Sequence, residues 1–569
     1  VPNVSILSAL RDRAGLTPDD VAFTFTDYDR DWNGIADSLT WAQLYRRTLN
    51  VAQEISRHGA PGDRALIIAP QGLEYVVAFL GAMQAGFIAV PLSVPVPGSH
   101  DERVSAVVTD TSPTVVLTTS TVFEVAAQYV DDGAAVIATI AVDTLDLDAP
   151  GAVDTEVPDG PDIAYLQYTS GSTRLPAGVM ISHRNMQANF EQLMAEYLSN
   201  YGGTFPPGTA LVSWLPFYHD MGLMLGIGAP IFSGHPADLM SPIAFLTRPA
   251  RWLHTLARQP RAWSGAPNFA FDLTARRTTE DELSGLDLSG VVGIINGAER
   301  IHPETLVRFT ERLAPAGFRP EMVVPSYGLA EATVYVASGG AARVPQVVDF
   351  DPDELSQGTA VRTTGGTPLL CYQLPASPQV RIVDPDTCRP CPDGTVGEIW
   401  THGENVSAGY WRKPDQTGSA FGATLVDPPA GTPDTDWLRT GDQGFVSEGE
   451  LFIVGRIKDM LIVRGRNHYS EDIEATVHKI TRGRVAAIAV SDEQTETLVT
   501  IVELKRDGRD ELTAVRNDVI AAISRSHGLQ VADIVLVEPG SIPTTTSGKV
   551  RRSACVDHHR QGRFVRLDA

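Results

Sequence analysis

One pattern constrains the fold more than any other: short apolar runs alternate with helix-like segments through the first third of the chain. "RALIIAP" (64–70) is an apolar run closed by proline, and "EYVVAFLGAMQAG" (74–86) follows as a helix stopped by glycine. "FIAVPL" (87–92), "TVVLTT" (114–119) and "AAVIATI" (134–140) are further buried-strand candidates. Strands alternating with helices predict parallel sheets covered on both faces. The most apolar stretch, 75–92, is broken at Gly86 and Pro91, so it reads as a buried helix and a strand and not as a membrane span.

At 569 residues the chain exceeds one ordinary core. Length alone suggests roughly three to four domain-sized units. Lys and Arg number 45 against 69 Asp and Glu, a formal charge of −24. That balance argues against non-specific binding to nucleic acid or to an anionic membrane. It still allows an anionic ligand where positive charge is concentrated locally. The opening "VPNVSILSALRDRAG" has no basic-then-apolar secretory pattern. Four cysteines in so long a chain fit a reducing cytosol, and a cytoplasmic location is expected. Cys388 and Cys391 form a C-x-x-C without a second ligand pair, so a turn between two strands is expected there and not a zinc site.

Composition shifts along the chain. Residues 372–455 hold short β runs with turns ("QVRIVD", "GTVGEIWTHG", "GELFIVGR") and read as a β-rich subdomain. From about residue 460 the pattern is mixed: "EDIEATVHKI" is helical with Ile473, Val477 and Ile480 on one face, and strand-like and helical runs follow. The fold class expected is α/β. A large N-terminal domain (1–458) has two covered mixed or parallel sheets plus the β-rich subdomain, and a small α+β domain (459–569) follows.

The stretch "QYTSGSTRLPAGVMISH" (167–183) follows a strand-like "IAYLQYT" and precedes the helical "SHRNMQANFEQLMAEYL", with Ser182 as N-cap. Met186, Phe190, Leu193, Met194 and Tyr197 share one face of that helix. A hydroxyl-rich loop running from a strand towards a helix can converge N–H groups on an anion. Phosphate loops usually carry a lysine. Here Ala177 stands where a Pro-Lys-Gly ending would put it, and Arg174 is the nearby cation.

Seven stretches in order then carry a resemblance. They are "YTSGSTRLPAGVMISH" (168–183), "LPFYHDMG" (215–222), "NGAE" (296–299), "YGLAEAT" (327–333), "WLRTGD" (437–442), "GRIKDMLIVRGRN" (455–467) and "PTTTSGKVRR" (543–552). Together they resemble the adenylate-forming superfamily, and within it the long-chain fatty acyl-AMP ligases of actinobacteria. The resemblance implies ATP-dependent activation of a long-chain fatty acid to an acyl-adenylate with release of pyrophosphate. It implies ATP and Mg²⁺ as cofactors. It also implies transfer of the acyl group to the phosphopantetheine thiol of an acyl carrier protein or polyketide synthase carrier domain.

The resemblance also assigns roles to residues. Thr169, Ser170, Gly171, Ser172 and Thr173 match the loop that grips the β- and γ-phosphates. Tyr327 matches the residue packed on adenine, and Gly297, Ala298, Glu299 and Gly328 belong with the strip lining the nucleotide. Glu331 matches the magnesium ligand. Asp442 matches the carboxylate that accepts from the ribose hydroxyls, with Arg456 on the same side. His219 matches the histidine between nucleotide and acyl pockets. Lys549 matches the C-terminal lysine that reaches the α-phosphate and the substrate carboxylate. Asp459 matches the hinge about which the small domain turns.

The alternatives are a long-chain acyl-CoA synthetase and a non-catalytic adenylate-binding scaffold. An insertion at about 337–368 resembles the one that restrains the small domain in the AMP ligases and hinders use of CoA. The tail from Lys549 carries Arg551, Arg552, Arg560, Arg563 and Arg566, a basic end suited to docking an acidic carrier domain.

Overall fold

The structure is a computed structural model that describes residues 5–95, 101–129, 136–150, 162–169, 176–463, 466–492, 495–505, 509–545 and 548–568. The predicted loop residues Ser170, Gly171, Ser172 and Thr173, with Arg174, lie outside the described residues.

The alternating pattern folds into a six-stranded sheet. Its spatial order is Ala138–Ala141, Val115–Thr118, Arg64–Ile68, Ile88–Leu92, Ile163–Thr169 and Ala177–Ser182. Every neighbour pair is parallel except the last. The helix Leu73–Gln84 carries one acidic residue, Glu74, and is otherwise buried along its length. A helix apolar all round must be enclosed, and this one contributes Phe79 and Tyr75 to the same core as Tyr165 and Phe217.

The larger sheet has fourteen strands. Its parallel part runs Val323–Tyr327, Val291–Gly297, Arg261–Pro267, Thr209–Ser213, Ala237–Met240 and Val21–Asp27. At Tyr327 the ladder turns antiparallel, continuing through Ala337–Ser338 and Thr367–Gln373 to Glu450–Arg456 and Leu438–Ser447. The β-rich segment 372–455 is thus an extension of this sheet and not a detached layer.

Two local expectations change. The helix that follows the hydroxyl-rich loop is His183–Tyr197, capped by Ser182, which accepts from the Asn185 N–H in a reciprocal capping box. A strand intervenes before it. Ala177–Ser182 pairs antiparallel with Ile163–Thr169, placing Ala177 opposite Thr169. The loop therefore joins two hairpin strands and does not feed the helix directly, because "GVMIS" satisfies its backbone on the sheet edge. In the helix Ser470–Thr481, Ile473 and Val477 are buried but Ile480 is exposed.

The C-terminal part has its own core. Strands Val485–Asp492, Thr495–Glu503 and Val531–Val537 form a sheet, with Val477, Leu498, Val519, Ile523 and Ile534 packed together. A closing helix, Arg552–Arg560, covers the other face through Cys555. The insertion supplies the strand Val347–Phe350, paired with Thr367–Gln373. Phe350 is fully buried, its ring 4.8 Å from Phe445 and 4.9 Å from Phe452. That cluster also takes in Met460 and Tyr469, which lie beyond Asp459 in the chain.

Candidate active site

Several predicted residues stand at or just past strand ends of the large sheet. Gly297 closes the strand Val291–Gly297, and Tyr327 closes Val323–Tyr327. Ala298 adopts a left-handed φ of +66°. Glu299 accepts from the Phe269 N–H at 2.6 Å. After Tyr327 the chain turns where no side chain fits: a Cβ on Gly328 would lie 1.6 Å from the Val334 carbonyl oxygen. Glu331 sits in the short helix Ala330–Ala332, and its Oε1 accepts from the Tyr410 hydroxyl at 2.8 Å. Thr333 then takes φ +65°, an outlier for a β-branched residue, held by its hydroxyl on the Asn405 carbonyl at 2.8 Å.

Asp442 and Arg456 are partners in register on neighbouring strands. Asp442 is buried; its Oδ2 accepts from the Tyr327 hydroxyl at 2.7 Å and its Oδ1 faces Arg456 Nε at 3.2 Å. Burial and the Asp442 charge hold the Tyr327 phenol protonated, well above its usual pKa. Each Asp442 oxygen keeps a lone pair for a further donor. Sequence reasoning missed what aims this carboxylate. The buried Glu398 accepts from the Gly441 N–H at 3.1 Å, from Trp400 at 2.9 Å and from Arg439 at 2.9 Å. It lies on the adjacent strand Gly397–His402, and no sequence motif marks it.

His219 precedes the helical turn Asp220–Leu223, which runs into the π-helical turn Met224–Gly228. Single π turns interrupt helices mostly at functional sites. The turn packs tightly on its own entry: a Cβ on Gly222 would lie 2.0 Å from the Pro216 carbonyl oxygen. His219 Nε2 is buried with no protein partner. Burial, with the charges of Arg103 and Lys549, lowers its pKa to about 3, so the ring is neutral.

Lys549 arrives from the small domain on a tight hairpin. The Thr545 N–H donates to the Lys549 carbonyl at 2.8 Å, and the Lys549 N–H donates to Thr545 Oγ1 at 3.1 Å. Lys549 keeps solvent access, yet protein crowds it as in an open cleft, and that crowding lowers its pKa. Arg456 pushes the same way, while Glu299, Asp220 and Glu471 oppose. Burial conversely raises the pKa of Glu299 and of Asp220. Lys549, His219, Asp220, Glu299 and Arg456, from four separate motifs, thus share one electrostatic neighbourhood.

The hinge residue and the basic tail stand elsewhere. Asp459 ends the short helix Ile457–Asp459 at the junction, where its Oδ2 accepts from Arg552 at 2.9 Å. Of the basic tail, Arg552 is engaged with Glu474 and Asp459, and Arg566 with Asp533 and Asp568. Arg551, Arg560 and Arg563 remain exposed. A cation the sequence did not offer stands beside Ala177: Lys413 Nζ donates to the Pro176 carbonyl at 2.5 Å, from 237 residues away. The Cys388–Cys391 pair lies in the connection between strands Gln379–Val383 and Gly397–His402. No helix among the described residues is long and apolar enough to cross a membrane.

The chain and its fold resemble known proteins. Residues 10–411 match the AMP-binding enzyme family, and residues 458–567 match the AMP domain of Disco-interacting protein 2-like proteins. The chain is 62% identical to the putative fatty-acid–CoA ligase FadD21 of Mycobacterium tuberculosis, covering 99% of both. It is 58% identical to the long-chain-fatty-acid–AMP ligase FadD28 of the same species, again over 99% of each. Among solved structures, a fatty acyl-adenylate ligase from L. pneumophila in complex with acyl adenylate and pyrophosphate aligns with TM-score 0.74 and 32% identity. That match covers 99% of this chain and 98% of the other. Fatty acyl-adenylate ligases from E. coli and L. pneumophila give 0.85 and 29%, covering 98% of each chain. On its motifs, its fold and these relatives together, the chain belongs to the AMP-binding, adenylate-forming enzyme family.

Proposed function

We propose that this protein joins a long-chain fatty acid to the AMP moiety of ATP and hands the acyl group to a phosphopantetheine thiol on a carrier domain. The observation that carries the reading is the meeting of Lys549 with His219, Asp220, Glu299 and Arg456. A carboxylate oxygen attacks the α-phosphorus, the bond to the bridging oxygen breaks, and pyrophosphate leaves. Two anions must approach, so cations preorganised at the reacting centre lower the barrier. Lys549, on the small domain, supplies that charge. Neutral His219, its Nε2 free of protein partners, orients the fatty-acid carboxylate without adding charge. Tyr327 offers its ring to the adenine while its hydroxyl steadies Asp442 for the ribose. Thr169 and the four residues after it would hold the outgoing phosphates.

Mg²⁺ fits as a shared ligand. Among the described residues no group of three His, Cys, Asp or Glu could hold a metal; Glu331 would contribute a carboxylate, and the nucleotide's oxygens would complete the shell. Bound there, the ion would neutralise phosphate charge.

The transfer step forms an acyl–sulfur bond and releases AMP, with the thiol proton passing to solvent. Two observations favour a carrier thiol over CoA: the likeness to the AMP ligase FadD28, and the packing of the 337–368 insertion on Met460 and Tyr469 across the proposed hinge at Asp459. Such packing biases a two-state hinge. The name of FadD21 favours the rival, an acyl-CoA synthetase. Incubation with ATP, palmitate and CoA separates them. Acyl-adenylate trapped by hydroxylamine with little acyl-CoA is expected, and rapid stoichiometric acyl-CoA would reverse the assignment.

A further inference from the structure

The segment after the Gly297–Glu299 strip carries a basic and then an acidic residue, Arg300 and Glu304. The helix Ser470–Thr481 of the small domain carries the opposite order: Glu471 and Asp472 in its first turn, Lys479 in its last. The two segments are apposed. Arg300 Nη2 lies 2.5 Å from Asp472 Oδ1, and its Nη1 lies 4.0 Å from Glu471 Oε2. At the other end Lys479 Nζ donates to Glu304 Oε1 at 2.7 Å. From Asp472 to Lys479 the helix rises about 10 Å, so it is pinned to the large domain near both ends.

The two pins are unequal. Lys479 and Glu304 are 62% and 64% exposed, a setting in which an ion pair contributes little. Arg300 and Asp472 are 19% and 25% exposed. Water screens that pair less, and the Asp472 charge also suits its place, since acidic side chains favour a helix N-terminus.

The shielded pin connects to the catalytic lysine. Glu471, beside Asp472, lies 3.8 Å from Arg552 Nη2. Arg552 also pairs with Glu474 at 2.7 Å and Asp459 at 2.9 Å. It stands three residues after Lys549, at the base of the hairpin in which Thr544 bridges Val550. A continuous line of ion pairs therefore runs from Arg300 in the large domain to the arm that bears Lys549.

We propose that Arg300 and Asp472 form an interdomain clasp that holds the small domain in the orientation placing Lys549 over the reacting phosphate, which makes Arg300 a positioning residue for adenylation. The clasp rests on the role given to Lys549 under Proposed function. Neither member is among the residues assigned to the nucleotide or the acyl chain, so the clasp is expected to act on turnover and not on substrate affinity.

The test uses the full chain and hydroxylamine trapping with ATP and palmitate. Arg300→Ala and Asp472→Ala should each lower kcat by roughly tenfold or more, as small misplacements of catalytic groups do. KM for ATP and for palmitate should stay within about twofold. The double substitution should be no worse than either single one, because both remove one interaction. The exchange Arg300→Asp with Asp472→Arg should recover part of the lost kcat, and Arg300→Lys should retain more than Arg300→Ala. Singles that match wild type, losses that multiply, a change confined to KM, or an exchange worse than both singles would each overturn the clasp. Should the alanine variants fail to fold, the exchange and Arg300→Lys carry the same decision. A wild-type protein that makes no hydroxamate overturns the adenylation reading itself and the clasp with it, whereas an active wild type with unaffected variants overturns the clasp alone.

Discussion

The proposed reacting centre sets two ionisable side chains against their ordinary behaviour. His219 is held neutral at a pKa of about 3, while an unfolded histidine titrates near 6.5. Between those values the unfolded chain binds a proton that the folded chain lacks, so acidification favours unfolding. The wild-type protein should therefore lose stability as pH falls from 6.5 towards 4, and His219→Gln should lose less over that window. Denaturant titrations at several pH values read this directly, and equal slopes would contradict it. Lys549 is also pushed down by crowding and by Arg456, yet Glu299 and Asp220 oppose the shift. Removing its charge with Lys549→Ala should cost about 10²-fold or more in adenylation, the scale set by losing one preorganised donor. Trapped hydroxamate measures it.

Elements, more than residues, decide how far a sequence can be read. The strand "IAYLQYT" appears in the structure with the predicted bounds, Ile163–Thr169, because an apolar run flanked by turn residues has one use. The helix His183–Tyr197 is equally legible, since Ser182 caps it and its apolar residues repeat at helical spacing. The strand between them was hidden: "AGVMIS" is short, and only its partner across the hairpin marks it as a strand. The candidate site was legible where motifs carry it, as with Tyr327 and Asp442, which the fold brings together. Their hydrogen bond spans 115 residues and no local pattern encodes it. Glu398 was invisible for the same reason. Its value lies in three donors brought from separate positions, not in its neighbours along the chain.

At the scale of the molecule, the insertion and the small domain share a hydrophobic cluster. Phe350→Ala empties the middle of that cluster and should cost about 3–5 kcal/mol of local stability. If this packing biases the hinge, the same variant should also form acyl-CoA measurably faster than wild type when CoA is supplied. A thioester assay unchanged by the substitution would separate the insertion from CoA exclusion. A second long-range connection acts within the large domain. The strand Ala177–Ser182 is held on its outer side by the chain at 409–411: the Met180 N–H donates to the Gly409 carbonyl at 2.9 Å, and the Trp411 N–H to the Gly178 carbonyl at 2.7 Å. Between those bonds sits Tyr410, whose hydroxyl holds Glu331, and Lys413 follows at the Pro176 carbonyl. One short span of backbone thus sets the spacing between the exit of the proposed phosphate loop and Glu331, the carboxylate proposed for the metal. Inherited variation at 409–413 would then be filtered as strictly as variation in the pocket. A census of tolerated substitutions would mark this span as essential even though the proposed reaction gives none of its residues a bond to make or break.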